Sequence, residues 1–444
     1  MNILIDNATV VTMDEVSVEK CFTGSIGIAG NKIGMVAMQE QRDKALERFR
    51  AEYGEPDRVI DGRGKLVMPG LINTHNHVPM SLMRGLADDM PLMKWLHDHV
   101  WPYEAKLTRE DIHAGAKLGI AEMLLGGTTT FADMYWHEAE VGKAAEELGI
   151  RAVLSPTFTD NRFADFKADF EEVYARYGSG QCGRITMMIA PHSVYTCCGE
   201  NLTAALRMAE KYGLSLNIHV SETMDEQETV WNTHAMTPLQ YMDKLGMLKP
   251  GTLAVHCVYL LESDIELLVE RGVSVAHNPQ SNMKISSGVA PVSNMVEHGV
   301  NVSIGTDGPC SNNDLDMFEE LRSASLLQKV STLDPIALPA YEVLQMATVN
   351  GAKALGLEDK VGMLREGMLA DIIILDIEKP HLYPCHDMIA NLAYCAKSAD
   401  VEMVMVDGEI LVENRKLSGV DVPAICHDAE QKAFAVLLRH GKRI

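Results

Sequence analysis

The sequence predicts an α/β protein: a (β/α)8 TIM-type barrel with a small β-sandwich domain built from both chain ends. Three observations carry this. Between residues 65 and 306, short β-branched runs alternate with longer amphipathic segments, the pattern of parallel strands joined by crossover helices. Short strands with turn signals recur near both termini, and neither set is large enough to make a stable sheet alone. Six of the eight barrel strands run into a histidine or an aspartate, and chemistry in such barrels collects at the C-terminal strand ends.

Residues 1–67 read as strands at 3–12, 24–30, 32–36 and 58–62, with a charged helix over 40–53, and form the N-terminal part of the sandwich. The barrel spans 68–359. Its first strand enters at 65–75, followed by strands at 128–133, 152–157, 185–191, 215–220, 252–257, 273–277 and 300–306. Helices at 109–125, 138–148, 202–212, 262–270 and 292–298 lie between them. Residues 360–420 complete the sandwich with strands at 370–376 and 401–412. There Asp407-Gly408, between two alternating apolar runs, signals a hairpin. Residues 421–444 form a helical tail.

A chain of 444 residues, 47% hydrophobic and 23% charged, supplies ample core for a large barrel with an appendage. Its net charge of −23 argues against a nucleic-acid partner, which needs a basic footprint. Nine cysteines, odd in number and scattered, do not form a disulfide framework and point to a reducing, cytoplasmic home. The adjacent Cys197 and Cys198 lack a second pair at zinc-ribbon spacing and read as ordinary small residues. The first six residues meet an acid at once, without the basic flank and long apolar stretch of a signal peptide. No apolar run is long enough to span a membrane.

His75 and His77 close an apolar run, and on a strand residues i and i+2 project from the same face. Two imidazoles aimed at one point suit a metal ion, although a hydrogen-bonded core pair is the plainer reading of the motif alone. The fourth strand leads to His192, the fifth to His219 and Glu222, the sixth to His256, the seventh to His277 and the eighth to Asp307. Any one of these could be a satisfied core residue; six strand ends in register could not. His75, His77, His219 and Asp307 make an N3O donor set that suits Zn²⁺ first, with Fe²⁺ or Mn²⁺ as alternatives. Zinc lowers the pKa of a coordinated water to about 7, and Asp307 can accept the proton so released. His256 is placed to orient that water or bear developing charge, and Glu222 to serve as general acid/base. The competing reading of Glu222 is a helix N-terminal acid completing a cap at Ser221.

These residues resemble the amidohydrolase superfamily, and within it the 5′-methylthioadenosine/S-adenosylhomocysteine deaminases. The resemblance runs from about residue 60 to residue 375 and rests on Pro69-Gly-Leu-Ile-Asn-Thr-His-Asn-His77, Met93-Lys-Trp-Leu96, Trp101-Pro-Tyr-Glu-Ala105 and Gly126-Gly-Thr-Thr-Thr-Phe-Ala-Asp-Met134. It continues through Ala190-Pro-His-Ser-Val-Tyr-Thr196, His219-Val-Ser-Glu222, His277-Asn-Pro-Gln-Ser-Asn282, Gly288-Val-Ala-Pro291, Gly305-Thr-Asp-Gly308 and Ser311-Asn-Asn-Asp-Leu-Asp-Met317. Triazine hydrolases and guanine deaminases are similar over the same stretches. The resemblance implies that Glu104 accepts hydrogen bonds from ribose hydroxyls, that His192 touches the sugar and that Trp95 lines the pocket. Binuclear relatives carry a bridging lysine on the fourth strand; residues 185–190 contain none, so one metal per subunit is implied. One departure stands out. Pro156 occupies the place of an arginine that helps relatives bind substrate, and Arg162, six residues on, is placed to reach the same space.

The activity implied is hydrolytic deamination of the adenine ring of 5′-methylthioadenosine, S-adenosylhomocysteine or adenosine, giving the inosine analogue and ammonia. Glu222 would protonate N1 of the ring and then the leaving ammonia. The alternative is an aminohydrolase of the same fold acting on guanine, a pterin or a triazine. A catalytically silent barrel is more remote, because such proteins generally lose ligands. A nucleic-acid-editing deaminase is excluded by charge and by the lack of a His-x-Glu plus Cys-x-x-Cys signature. The oligomeric state, a homo-oligomer included, stays open.

Overall fold

Eight parallel strands follow one another around a barrel in chain order, and a second sheet draws on both termini. This is seen in a computed structural model that describes residues 1–14, 16–17, 19–90, 92–178, 180, 182–439 and 441, with the backbone alone at 92 and 93. The Met93 side chain of the quoted motif therefore lies outside the described residues, as do 440 and 442–444 of the expected helical tail.

The terminal sheet begins with β1 (Asn2–Val10), β2 (Phe22–Ala29), β3 (Lys32–Met38), β4 (Arg58–Asp61) and β5 (Lys65–Pro69). The barrel strands are β6 (Leu71–Asn76), β7 (Thr128–Tyr135), β8 (Arg151–Phe158), β9 (Ile185–Pro191), β10 (Ser215–Val220), β11 (Leu253–His256), β12 (Ser274–His277) and β13 (Asn301–Ile304). The chain then returns to the terminal sheet with β14 (Ile372–Asp376), β15 (Val401–Val406), β16 (Glu409–Glu413) and β17 (Lys416–Leu417). That sheet runs β17-β16-β15-β14-β5-β1-β2-β3, with β4 on β1, so β5 and β14 join the two ends of the chain. The expected hairpin forms at Asp407-Gly408, both residues at positive φ (52° and 76°), and β15 and β16 pair antiparallel around it.

The barrel strands are buried on both faces, which is why they read as apolar runs rather than as alternating patterns. From β6 to β13 each strand pairs with its sequence neighbour. The last gap is bridged by Asp307 N–H donating to His75 O (3.0 Å) and Thr74 Oγ1 to Ile304 O (2.9 Å). One expectation needs correction. Residues 65–75 are not a single barrel strand: β5 belongs to the terminal sheet and β6 to the barrel. The break falls at Gly70, where a Cβ would lie 2.1 Å from the Thr129 side chain, so only glycine lets the chain pass from one sheet to the other.

A buried ion pair fastens the two sheets together. Arg151, at the start of β8 and 2% exposed, donates from Nε and Nη2 to the two oxygens of Asp371, at 2.8 and 2.9 Å. Asp371 Oδ1 also accepts the Asp407 N–H of the hairpin (2.8 Å). The C-terminal helix, Val422–Arg439, packs on the barrel helix Arg109–Leu125. No helix among the described residues is long and apolar enough to cross a membrane.

Candidate active site

The pleat of β6 aims His75 and His77 at the barrel mouth, where their rings lie 4.9 Å apart, centroid to centroid. His219, at the end of β10, comes within 5.0 Å of His75 and 5.3 Å of His77. Asp307 follows β13, and its Oδ1 stands 3.2 Å from Nε2 of His77 and 3.5 Å from Nε2 of His75. The four predicted ligands therefore converge. His256 joins them, its ring 5.9 Å from that of His75 and 5.4 Å from that of His219. Two overlapping triads, His75/His219/His256 and His75/His77/Asp307, each place their donor atoms within 4.8 Å of one another.

The donor chemistry fits a cation. Nδ1 of His77 stands 2.6 Å from Met134 O, and Nδ1 of His219 is 2.9 Å from His192 O. A carbonyl only accepts, so both Nδ1 atoms carry hydrogen and both Nε2 atoms turn toward the centre. Nε2 of His219 nevertheless lies 3.2 Å from Nε2 of His75. Lone pairs gathered in this way repel unless a proton or a cation lies among them, and one divalent cation satisfies all four groups together. Burial pushes His75 down to about 3, which keeps it neutral as a ligand must be. Burial would raise Asp307, but the adjoining imidazoles of His75 and His77 outweigh it and hold the carboxyl well below its usual range. Ser281 and Ser311 donate to Asp307 Oδ2 at 2.6 and 2.8 Å, which leaves Oδ1 for the centre.

The local backbone is strained where these groups project. Ser221, His256 and Asp307 have φ values of 56°, 76° and 60°, a left-handed region that non-glycine residues seldom occupy. His256 is held through Nδ1 by Asn282 Oδ1 at 2.9 Å, and its Nε2 lies 4.0 Å from Glu222 Oε1. Burial raises Glu222. The helix after β10 is capped by Thr223, whose Oγ1 accepts the Glu226 N–H at 3.3 Å. Ser221 is thus not the cap, and Glu222 is free of that duty.

An inner cavity of about 100 Å³ opens over the cluster, walled by Trp95, Glu104, Tyr135, His192, Glu222 and Asp307. An outer chamber of about 730 Å³ shares Trp101, Glu104, Trp136 and Thr159 with it. Glu104 Oε1 accepts from the Tyr135 hydroxyl at 2.6 Å, and burial raises its pKa. His192, pushed down to about 4 by burial, keeps Nδ1 near Thr196 Oγ1 (3.0 Å). Pro156 is buried within β8, and Arg162 lies against the outer chamber with its guanidinium 4.2 Å from the Trp136 ring centroid.

The sequence singled out the four predicted ligands, Trp95, Glu104, Arg162, His192, Glu222 and His256, but not Trp136 or Thr159 in the cavity walls, Thr223 at the cap, or the supports. Tyr135, Asn282, Ser281 and Ser311 went unnoticed, and only the last three lie in quoted motifs. His277 stands apart: buried at the end of β12, it has neither ring nitrogen hydrogen-bonded and makes no ring contact with the cluster among the described residues.

A metal-ligand cluster at the C-terminal mouth of a (β/α)8 barrel, with a carboxylic acid beside it, defines a class of metal-dependent hydrolases. The chain belongs to the Amidohydrolase family, whose profile matches residues 66–411. It is 46% identical over 441 residues to the 5-methylthioadenosine/S-adenosylhomocysteine deaminase of Pelotomaculum thermopropionicum, with 99% of each chain covered. It is also 46% identical to the 5′-deoxyadenosine deaminase of Methanothermobacter thermautotrophicus, covering 91% of this chain and 95% of that one. Among solved structures, an adenosine deaminase from Xanthomonas campestris with bound zinc is similar at a TM-score of 0.90 and 31% identity, covering 98% of both chains.

Proposed function

We propose that the protein is a zinc-dependent aminohydrolase of adenosine derivatives. Its substrates are 5′-methylthioadenosine, S-adenosylhomocysteine, 5′-deoxyadenosine or adenosine, and its products are the inosine analogue and ammonia. The observation that carries this reading is the gathering of His75, His77, His219 and Asp307 beside the buried acid Glu222. It is supported by the names of relatives at 46% identity over nearly the whole chain.

In this reading His75, His77, His219 and Asp307 hold one zinc ion, with Fe²⁺ or Mn²⁺ as the less favoured metals. When bound, zinc supplies a nucleophile at neutral pH by lowering the pKa of water to about 7. Asp307 accepts the proton of the attacking water. Glu222, whose pKa burial raises, delivers its proton to N1 of the adenine ring as a C–O bond forms at C6. The proton taken by Asp307 then reaches the amino nitrogen by way of Glu222, the C6–N bond breaks and ammonia leaves. The remaining hydroxyl proton passes from O6 to Glu222, which gives the inosine carbonyl and restores the acid. His256, close to both the cluster and Glu222, bears developing charge on the attacking oxygen. Glu104 accepts from the ribose hydroxyls, His192 contacts the sugar, and Trp95 packs on the apolar parts of the nucleoside. The inner cavity and the outer chamber share Glu104 and Trp136, so in this reading the ring takes the inner space and the 5′ substituent takes the outer chamber beside Arg162.

The test is ammonia release from the four adenosine compounds, run against guanine, a pterin and a triazine. Turnover of the adenosines is expected. Preferential turnover of one of the other rings would overturn the substrate assignment.

A further inference from the structure

Glu104 is buried, and its carboxylate accepts from the Tyr135 phenol. Its aim also depends on the backbone of the short turn that carries it. Within that turn Lys106 N–H donates to Tyr103 O (2.9 Å) and Leu107 N–H to Glu104 O (3.0 Å). The turn is tied from outside to the far end of the chain. Tyr103, 1% exposed, places its hydroxyl 3.2 Å from Ala433 O and 3.4 Å from Leu82 O. Arg439, in the last turn of the C-terminal helix, donates from Nη1 to Lys106 O at 2.7 Å and from Nη2 to Asp111 Oδ2 at 2.6 Å. Asp111 is no bystander, since its Oδ2 also accepts from Thr108 N (2.7 Å) and Thr108 Oγ1 (2.9 Å) in the capping box that starts the next helix.

We infer that the C-terminal helix is a clamp on the substrate wall, and that Tyr103 and Arg439 are positioning residues that set Glu104 for the ribose hydroxyls. The inference rests on the role given to Glu104 above. Neither residue lines the inner cavity, so any effect on substrate passes through the turn. The fastening has two independent points, one on each side of Glu104. A carbonyl accepts at Lys106 and a phenol donates at Tyr103, so loss of one loosens the turn and loss of both frees it. Arg439 is about one-third exposed, with a side-chain exposure of 35%, so its removal opens no core.

The experiment compares KM for adenosine and for 2′,3′-dideoxyadenosine in the holoenzyme, with Tyr103→Phe, Arg439→Ala, their double variant, and Glu104→Gln. Tyr103→Phe removes one hydroxyl and keeps the ring. The double variant should raise KM for adenosine about fivefold to tenfold, the scale of a hydrogen bond or two. It should leave KM for the dideoxynucleoside and the zinc content unchanged. Placed on Glu104→Gln, it should add nothing further, since the group it positions is already altered. Equal rises for both nucleosides, full additivity with Glu104→Gln, or no rise at all would overturn the clamp. If Glu104→Gln discriminates between the nucleosides while the clamp variants do not, the clamp alone falls. If Glu104→Gln itself fails to discriminate, the ribose role of Glu104 falls and the clamp with it.

Discussion

Glu222 is held by a second acid, Glu226, one helical turn further on. Glu226 is 2% exposed, and its Oε2 accepts the Glu222 N–H at 2.8 Å. It shapes the bend at Ser221 from which Glu222 projects. Two predictions belong here. Glu222→Gln keeps the volume and removes the transferable proton, so kcat should drop by about 10²- to 10⁴-fold with zinc still bound, as read by steady-state kinetics and metal analysis. Glu226→Gln should instead change the dependence of stability on pH. Burial pushes Glu226 up to about 8 from an ordinary 4.5. Between those values the folded chain keeps a proton that the unfolded chain has released, so this group's contribution is complete below pH 4.5 and is lost as pH rises through 8. The glutamine variant mimics the protonated acid at every pH. Its stability should therefore fall less steeply from pH 5 to 8, by an amount on the order of a few kcal/mol, in denaturant titrations at several pH values. Parallel curves for the two proteins would contradict this. Sequence alone pointed to Glu222 through its spacing from His219 but passed over Glu226, because an acid in the first turn of a helix ordinarily faces water.

At the scale of elements, the barrel is legible because six of its eight strands are short apolar runs leading to a residue whose type is wrong for a core. His219, His256 and Asp307 mark the ends of their strands to within three residues. Ile185–Pro191 and Ser215–Val220 fall where the runs of β-branched and apolar residues place them. What could not be read is how one run is divided between two sheets, since β5 and β6 share an unbroken apolar pattern and only the approach of Thr129 to Gly70 parts them. The joint between the sheets was equally hidden. Arg151 lies in a strand and Asp371 lies 220 residues away, a pairing that no local pattern records. It makes a sharp prediction. Arg151→Ala leaves Asp371 buried without its cation, which should cost about 3–5 kcal/mol in chemical denaturation. Arg151→Ala combined with Asp371→Ala removes both charges and should recover part of that loss, a coupling that a double-mutant cycle measures directly.

For the whole molecule, the proposed metal is a cross-link as well as a reagent. His75 sits on the first barrel strand with His77 just past its end, His219 sits on the fifth, and Asp307 follows the eighth, so one ion ties together the two sides of the barrel and the gap where it closes. That closure is made by side-chain and loop hydrogen bonds rather than by a strand ladder. Without an ion the facing nitrogens of His75 and His219 repel. An ion that binds only the folded chain stabilises it by about 4 kcal/mol when present at roughly a thousand times its dissociation constant. Chelation should therefore abolish ammonia release and lower the melting temperature together, and added zinc should restore both. In His219→Ala the donor set is incomplete, and the melting temperature should respond to zinc far less than in the parent. Thermal melts of both proteins across a zinc titration check this: a parent protein whose melting temperature ignores zinc would show that these four groups do not hold it.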